Sequence, residues 1–431
     1  MSDTDADTPP RPERPDRVAL SGPRAGRVGA PGRGAAQQAT LREHNLSLVL
    51  RAVVEAPTPT TRARIASGLG VTRATASDLV DRLIDARLVD ELTPELRSGA
   101  GRPGMLLAPA ARTVVGLGLE VQVDHLAVRA TDLTGATVAE ARRDGDFRGS
   151  SPSRVLRQIG RLAAPIVAGL ADPVTVAGAC VSIPALLRHG SGVVQLAPNL
   201  GWHDVDVLGP LGAHPALHGI PLLLGNDADL SARAEVQARA VAERTGRAAQ
   251  SFLYLAGEVG IGGAIVVTGE LARGQHGWSG EIGHAVVERD GPRCGCGARG
   301  CLEQYAGRDV IMRGAGLPLD TPVEDLLAAA ARPGRARRSL ASAADAIGVA
   351  VSTTLNLVDV ERVVLGGVYA RLFDHLRDGI TAQVSERVLA ARWSPVTIGP
   401  AMAGPGASLT GAGLRVLDDV VADPAAWIAA R

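Results

Sequence analysis

Three of the four cysteines in this chain crowd into one short stretch, Cys294, Cys296 and Cys301, with His284 just upstream. Three soft thiolates and an imidazole make a closed tetrahedral set, the composition of a structural Zn2+ site with no position left for water. Gly295, Gly297 and Gly300 let the backbone turn tightly enough to bring all four ligands to one point. The alternative is three free buried thiols; a catalytic zinc is excluded by the filled fourth position. Cys180 lies in an apolar run and reads as packing.

A chain of 431 residues exceeds one typical core, so two or three domains are expected. No apolar run reaches the ~20 residues of a membrane span, and no apolar leader follows Met1, which points to the cytoplasm. The formal net charge is +0, from 45 basic and 45 acidic residues, so the molecule has no polyanion-seeking field as a whole. All of the basic residues are arginine, a bias to which no functional weight is given.

Residues 1–38 are rich in Pro, Arg, Gly and Asp, cannot offset their ordering entropy by burial, and are expected to form a disordered tail. A helix-face pattern follows, with Leu46, Val49, Leu50 and Val53 before Pro57 and Pro59. Next come a short helix over 61–67, the turn Gly68-Leu-Gly-Val71, and a second helix opened by the N-cap Thr72. Leu88–Leu92 and Gly101–Leu107 read as two short strands of a wing. The segment 39–110 is therefore a winged helix-turn-helix, with Thr72, Arg73, Thr75, Ala76 and Ser77 at the start of the recognition helix, where base edges would be met. An ordinary helical hairpin is the competing reading. Nine arginines against eight acidic residues in this module predict weak DNA binding by one copy, and so a homodimer or homotetramer reading two half-sites of a double-stranded operator.

From 111 to 431 the texture alternates between β and α. Strands are expected over 114–119, 126–131, 175–183, 221–224 and 362–365, and helices over 154–168, 230–240 and 341–357, giving two α/β lobes. Side chains suited to paired bonds with sugar hydroxyls follow apolar runs at Asn199, Asn226 and Asp227, and flank the cysteine motif at Glu281 and Glu303.

Together, Pro198-Asn199-Leu-Gly-Trp202, Asn226-Asp227-Ala, Gly280-Glu281-Ile-Gly-His284, the cysteine motif through Glu303, and Val364-Leu-Gly-Gly367 resemble the ROK family of bacterial sugar kinases and transcriptional repressors. The resemblance covers about residues 41–431. It implies an actin-like, two-lobed sugar-kinase domain behind the winged helix-turn-helix, with sugar contacts from Asn199, Asn226, Asp227, Glu281, His284 and Glu303. It also places His284 on zinc, matches Asp227 to the general base of the kinases, and sends Arg102 of the Gly101-Arg-Pro103 wing into the minor groove.

Two departures from the kinases bear on activity. Where they carry Asp-x-Gly-Gly-Thr, this chain has Gly118-Leu-Glu120-Val121-Gln122, and the second phosphate loop, Val259-Gly-Ile-Gly-Gly-Ala264, lacks its Thr. A carboxylate repels phosphate, and β-branched Val121 blocks the close backbone approach that glycine permits. The expectation is a non-enzymatic, sugar-responsive regulator, most simply a repressor of carbohydrate genes. In this scheme sugar alters lobe closure, and the zinc loop and dimer arrangement carry the change to the paired winged helices. The alternatives are an ATP-dependent sugar kinase with a fused DNA module, and a zinc-stabilised DNA-binding protein with no small ligand.

Overall fold

In this computed structural model the structure describes residues 33–93, 105–188 and 190–431. The tail expected over 1–38 lies largely outside the described residues, as does Arg102 of the wing. Of the N-terminal unit, Met1–Arg42, the description begins with helix α1 (Arg33–Val54), which starts within the segment read as tail. The run Ala35-Ala-Gln-Gln-Ala39 carries good helix formers and no Pro, so the helix propagates backwards through it.

Within the compact unit Glu43–Arg431, α1 buries Leu46, Val49, Leu50 and Val53. Helix α2 (Arg62–Leu69) is capped by Thr61, whose hydroxyl accepts from the Arg64 amide, and ends on Gly70 in the left-handed region. Helix α3 (Arg73–Asp85) is capped by Thr72, whose hydroxyl accepts from the Thr75 amide at 3.1 Å. Strands β1 (Val89–Leu92) and β2 (Leu106–Pro109) pair antiparallel; the segment expected to join them as a wing lies outside the described residues. Arg62 ties the module together, donating to Asp81 of α3 and Glu91 of β1 at 2.6 Å each.

One expected DNA contact is corrected. Ala76 is fully buried, because positions 76, 79, 80 and 83 form a single helical stripe with Leu79, Val80 and Leu83. Thr72, Arg73 and Thr75 are exposed; Ser77 is half-buried and its carbonyl accepts from Arg62.

The first lobe is a five-stranded mixed sheet of β3 (Val114–Val121), β4 (His125–Asp132), β5 (Thr137–Asp144), β6 (Thr175–Ile183) and, later in the chain, β10, in the order β10-β6-β3-β4-β5. Strands β3, β4 and β5 form an antiparallel meander, while β6 and β10 run parallel to β3. Helix α4 (Pro152–Gly169) crosses one face with Val155, Leu156, Ile159 and Ala163 inward. A small sheet of β7 (Leu186–Leu187), β8 (Val193–Ala197) and β9 (Trp202–Asp206) leads through α5 (Leu208–Gly212) to β10 (Leu222–Asn226) and α6 (Asp227–Ala242).

The second lobe has strands β11 (Phe252–Gly257), β12 (Ile261–Val267), β13 (Glu270–Leu271), β14 (Arg362–Gly367) and β15 (Thr397–Pro400), ordered β13-β12-β11-β14-β15. Helices α7 (Glu303–Ala306), α8 (Arg308–Ala315), α9 (Val323–Ala330), α10 (Arg335–Leu355), α11 (Val368–Arg371) and α12 (Phe373–Arg387) supply its layer, and α10 and α12 pack along their lengths around Ile347, Val351, Leu376 and Ile380.

Two C-terminal helices, α13 (Ala407–Ala422) and α14 (Pro424–Ala429), return to the first lobe. Helix α13 lies directly on β3: a Cβ added at Gly118 would sit 3.1 Å from the Leu409 carbonyl carbon and closer still to its oxygen. Its far end, with Leu414, Leu417, Val420 and Val421, shares one core with Leu46, Leu50 and Val53 of α1. The Ser47 hydroxyl donates to the Val421 carbonyl at 2.9 Å. The segments separated at residue 110 by their sequence texture are thus joined by buried apolar surface.

Candidate functional site

The cysteine motif folds into a knuckle between β13 and α7. His284 ends a single 3-10 turn over 282–284, and Gly297 and Gly300 both take positive φ, as the tight turns require. The four candidate ligand atoms lie within 4.8 Å of one another, with Cys294 Sγ 3.7 Å from His284 Nδ1 and Cys296 Sγ 3.7 Å from Cys301 Sγ. Zinc–sulfur bonds of about 2.3 Å in a tetrahedron require edges of about 3.8 Å, so the donor set has the size and chemistry of a metal site.

The knuckle sets the direction of two carboxylates. Glu281 precedes His284 by one turn, and Glu303 opens α7 directly after Cys301 and Leu302. Gly283 packs so closely on the Ile261 carbonyl that a side chain there would displace β12. Glu303 accepts from the Ile261 amide at 3.3 Å, and a Cβ placed at Gly260 would come within 2.9 Å of Asn199 Nδ2 as well as striking the Glu303 carboxylate. The glycines at the start of β12 therefore clear the space in which Asn199, from the first lobe, and Glu303, from the second, meet. The Asn199 loop is anchored by Trp202, buried to 1% exposure, whose indole N–H donates to the Ser150 carbonyl at 2.9 Å.

Asp227 is the first residue of α6, and one of its oxygens accepts from Gln122 Nε2 at 3.0 Å. Its carboxyl is held above the usual range by burial and by Glu120. Glu281 is pushed up to about 7 by burial and by Asp227, Asp229 and Glu303. Glu303 is raised by burial, with His284 opposing. Buried carboxyl groups raised in this way gain from further hydrogen-bond donors, which a polyol supplies. Asn226 serves first as N-cap: its side-chain oxygen accepts from the Ala228 and Asp229 amides, and its side-chain amide donates to the Ala185 carbonyl.

Sequence reasoning placed Glu120 and Gln122 at the first phosphate-loop position but missed the partners that hold Glu120 there. Glu120, 5% exposed, accepts from the Ser408 hydroxyl and from His125 Nε2 at 2.9 Å, and the other ring nitrogen of His125 lies 2.6 Å from Asp124 Oδ1. Burial alone would lower the His125 pKa, but these bonds to Asp124 and Glu120 raise it to about 9. Just before the second loop Glu258 stands beside Gly367, its carboxyl pushed up to about 8 by burial and by Asp124, Glu120 and Asp227. Spacing could not have paired residue 120 with residue 408.

The ROK family pattern matches residues 117–418, which spans both lobes, the knuckle and most of α13. The chain belongs to the ROK family. The xylose repressor of Caldicellulosiruptor bescii is 23% identical over 403 residues, covering 89% of this chain and 98% of that protein. The glucokinase of Thermotoga maritima is 30% identical over 222 residues, covering 46% of this chain and 68% of that protein. Among solved structures, a ROK family transcriptional regulator described as a homologue of the E. coli MLC protein superposes with a TM-score of 0.69 at 22% identity, over 89% of this chain and 97% of its own. The likeness to that regulator establishes the two-lobed ROK fold, and among the described residues no helix is long and apolar enough to cross a membrane.

Proposed function

We propose that this ROK protein is a sugar-responsive DNA-binding repressor of carbohydrate genes, acting in the cytoplasm as a homodimer or homotetramer, with no kinase activity. The observation that carries this reading is one chain holding both a helix α3 with a capped, exposed N-terminal turn and a cleft lined by Asp227, Glu281 and Glu303, with Glu120 at the first phosphate-loop position and Glu258 just before the second. The full-length match to a xylose repressor supports it, and makes an aldopentose the first sugar to try.

Asn199, Asn226, Asp227, Glu281, His284 and Glu303 bind the sugar in this reading. His284, Cys294, Cys296 and Cys301 hold a structural Zn2+, which stabilises the knuckle and with it the aim of Glu281 and Glu303. Thr72, Arg73, Thr75 and Ser77, with Arg102 of the wing, contact operator DNA; Ala76 supports them from inside. Phosphoryl transfer depends on positioning and on neutralising charge, and an extended carboxylate network at both phosphate loops opposes each. Induction requires the sugar to bind the non-DNA-binding state more tightly, since equal affinity shifts nothing.

Fluorescence anisotropy on DNA from the promoter beside its own gene, with a pentose and hexose panel, tests the regulator. DNA binding released by one sugar is expected. An ATP-coupled assay on the same panel tests the kinase alternative, and turnover abolished by Asp227→Asn would overturn the proposal.

A further inference from the structure

A cavity of about 580 Å³ lies beside the cleft; Asn226 lines both, whereas Asn199, Asp227, Glu281, His284 and Glu303 do not line it. Its floor is strand β10 and the apolar side of α6, with Leu222, Leu224, Leu230 and Val236; its walls come from α1, α13, the β7–β8 turn, the β12–β13 hairpin and the loop beyond it. Six guanidinium groups converge on it from separate places in the chain: Arg51, Arg188, Arg233, Arg247, Arg273 and Arg415.

At the back of the cavity a relay of ion pairs joins three helices. Arg233 on α6 grips Asp418 of α13 with two bonds, at 2.8 and 2.6 Å. Arg247 reaches the same carboxylate at 3.3 Å and Glu55 of α1 at 3.4 Å. These two guanidiniums share one carboxylate oxygen, and Nη1 of the buried Arg233, 8% exposed, has no partner among the described residues. The donors outnumber the acceptors offered to them. Arg415 is paired with Asp419 at 2.6 Å, while Arg188 and Arg273 are exposed and unpaired among the described residues. Two acids at the rim oppose an anion. Glu270, exposed on the β12–β13 hairpin, lines the cavity and its charge reaches Arg233, and the Asp229 carboxyl is pushed up to about 6 by burial.

We propose that this cavity is a second effector site for a phosphate-bearing metabolite, whose phosphate competes with Glu55 for Arg247. Planar guanidiniums match phosphate oxygens in pairs, the volume suits a hexose-phosphate-sized ligand, and the leucine floor accepts its carbon body. The carboxylate-rich cleft repels such a dianion, so the two chemistries are sorted between neighbouring sites. Withdrawing Arg247 from Glu55 loosens an ionic tie between α1 and the relay, which gives the ligand a route to the winged helix. Only that last consequence rests on the proposed repressor reading; binding itself does not.

The test is calorimetric titration of the full chain with glucose 6-phosphate, inorganic phosphate and glucose, each against chloride at matched ionic strength. The phosphate-bearing probes bind. The double variant Arg188→Ser/Arg273→Ser, which removes two exposed side chains outside the relay, weakens glucose 6-phosphate at least tenfold at unchanged Tm. Glu303→Gln leaves that binding intact while abolishing the response to neutral sugar. No heat beyond the chloride control overturns the proposal, as does binding lost in Glu303→Gln but kept in the double variant, which would place the phosphate in the cleft.

Discussion

Gly118 stands where the resemblance puts a kinase aspartate, and the structure gives a physical reason why this chain cannot carry one. A Cβ at that position lies 3.1 Å from the Leu409 carbonyl carbon and 3.2 Å from its Cα, with the oxygen nearer still. These are backbone atoms in the first turn of α13, a helix wedged between β3, α6 and α1, so relief requires moving the helix rather than turning a side chain. Overpacking a filled core costs about 1–3 kcal/mol, and a backbone obstacle puts Gly118→Ala at the upper end, about 3 kcal/mol. At roughly 2–4 °C per kcal/mol for a domain of this scale, the Tm falls by about 6–12 °C in a thermal melt. Gly399→Ala is the control: nothing lies within 4 Å of its added carbon, and its effect stays within about 1 kcal/mol. Gly118→Asp gains no ATP-dependent phosphorylation in a coupled assay. A Gly118→Ala protein that melts with the parent would refute the claim that α13 closes this position.

His125, raised to about 9 by its carboxylate partners, contributes stability that is complete below its ordinary pKa of 6.5 and lost as pH rises through 9. The parent Tm therefore declines across that window, and His125→Gln flattens the decline; Asp124, whose pKa is lowered, adds a second loss only in acid, below 3.8. Cys301→Ser is expected to drop zinc from one equivalent per chain to a small fraction by metal analysis, with a lower Tm, whereas Cys180→Ser retains the metal. Thr75→Ala weakens operator binding while leaving the melt nearly unchanged, because the side chain is exposed; Ala76→Arg unfolds the helix-turn-helix instead, since its site is fully buried. Circular dichroism and anisotropy on the same samples separate the two.

Local signals carried much of this architecture. The strand expected over 175–183 is β6 residue for residue, Thr72 caps α3, and the crowded cysteines and His284 do converge. Each depends on neighbours in sequence: apolar run, cap chemistry, ligand spacing. Even the burial of Ala76 was available, because it shares a stripe with Leu79, Val80 and Leu83. The contacts that build the cleft were not available, because they join distant segments. Gln122 meets Asp227, Glu120 meets Ser408, and Gly118 meets Leu409 only once α13 has returned from the end of the chain to cover β3. The arginine-lined cavity is invisible for the same reason, its wall being built from six parts of the chain.

The central claim is that sugar in the cleft governs DNA binding, and it is tested most directly by the affinity of the full chain for its own promoter DNA with and without sugar, alongside Glu303→Gln. The account predicts that at least one pentose or hexose weakens parent binding tenfold or more, and that Glu303→Gln binds the same DNA with parent affinity but ignores the sugar. DNA affinity indifferent to every sugar, or a Glu303→Gln protein released as readily as the parent, would contradict it.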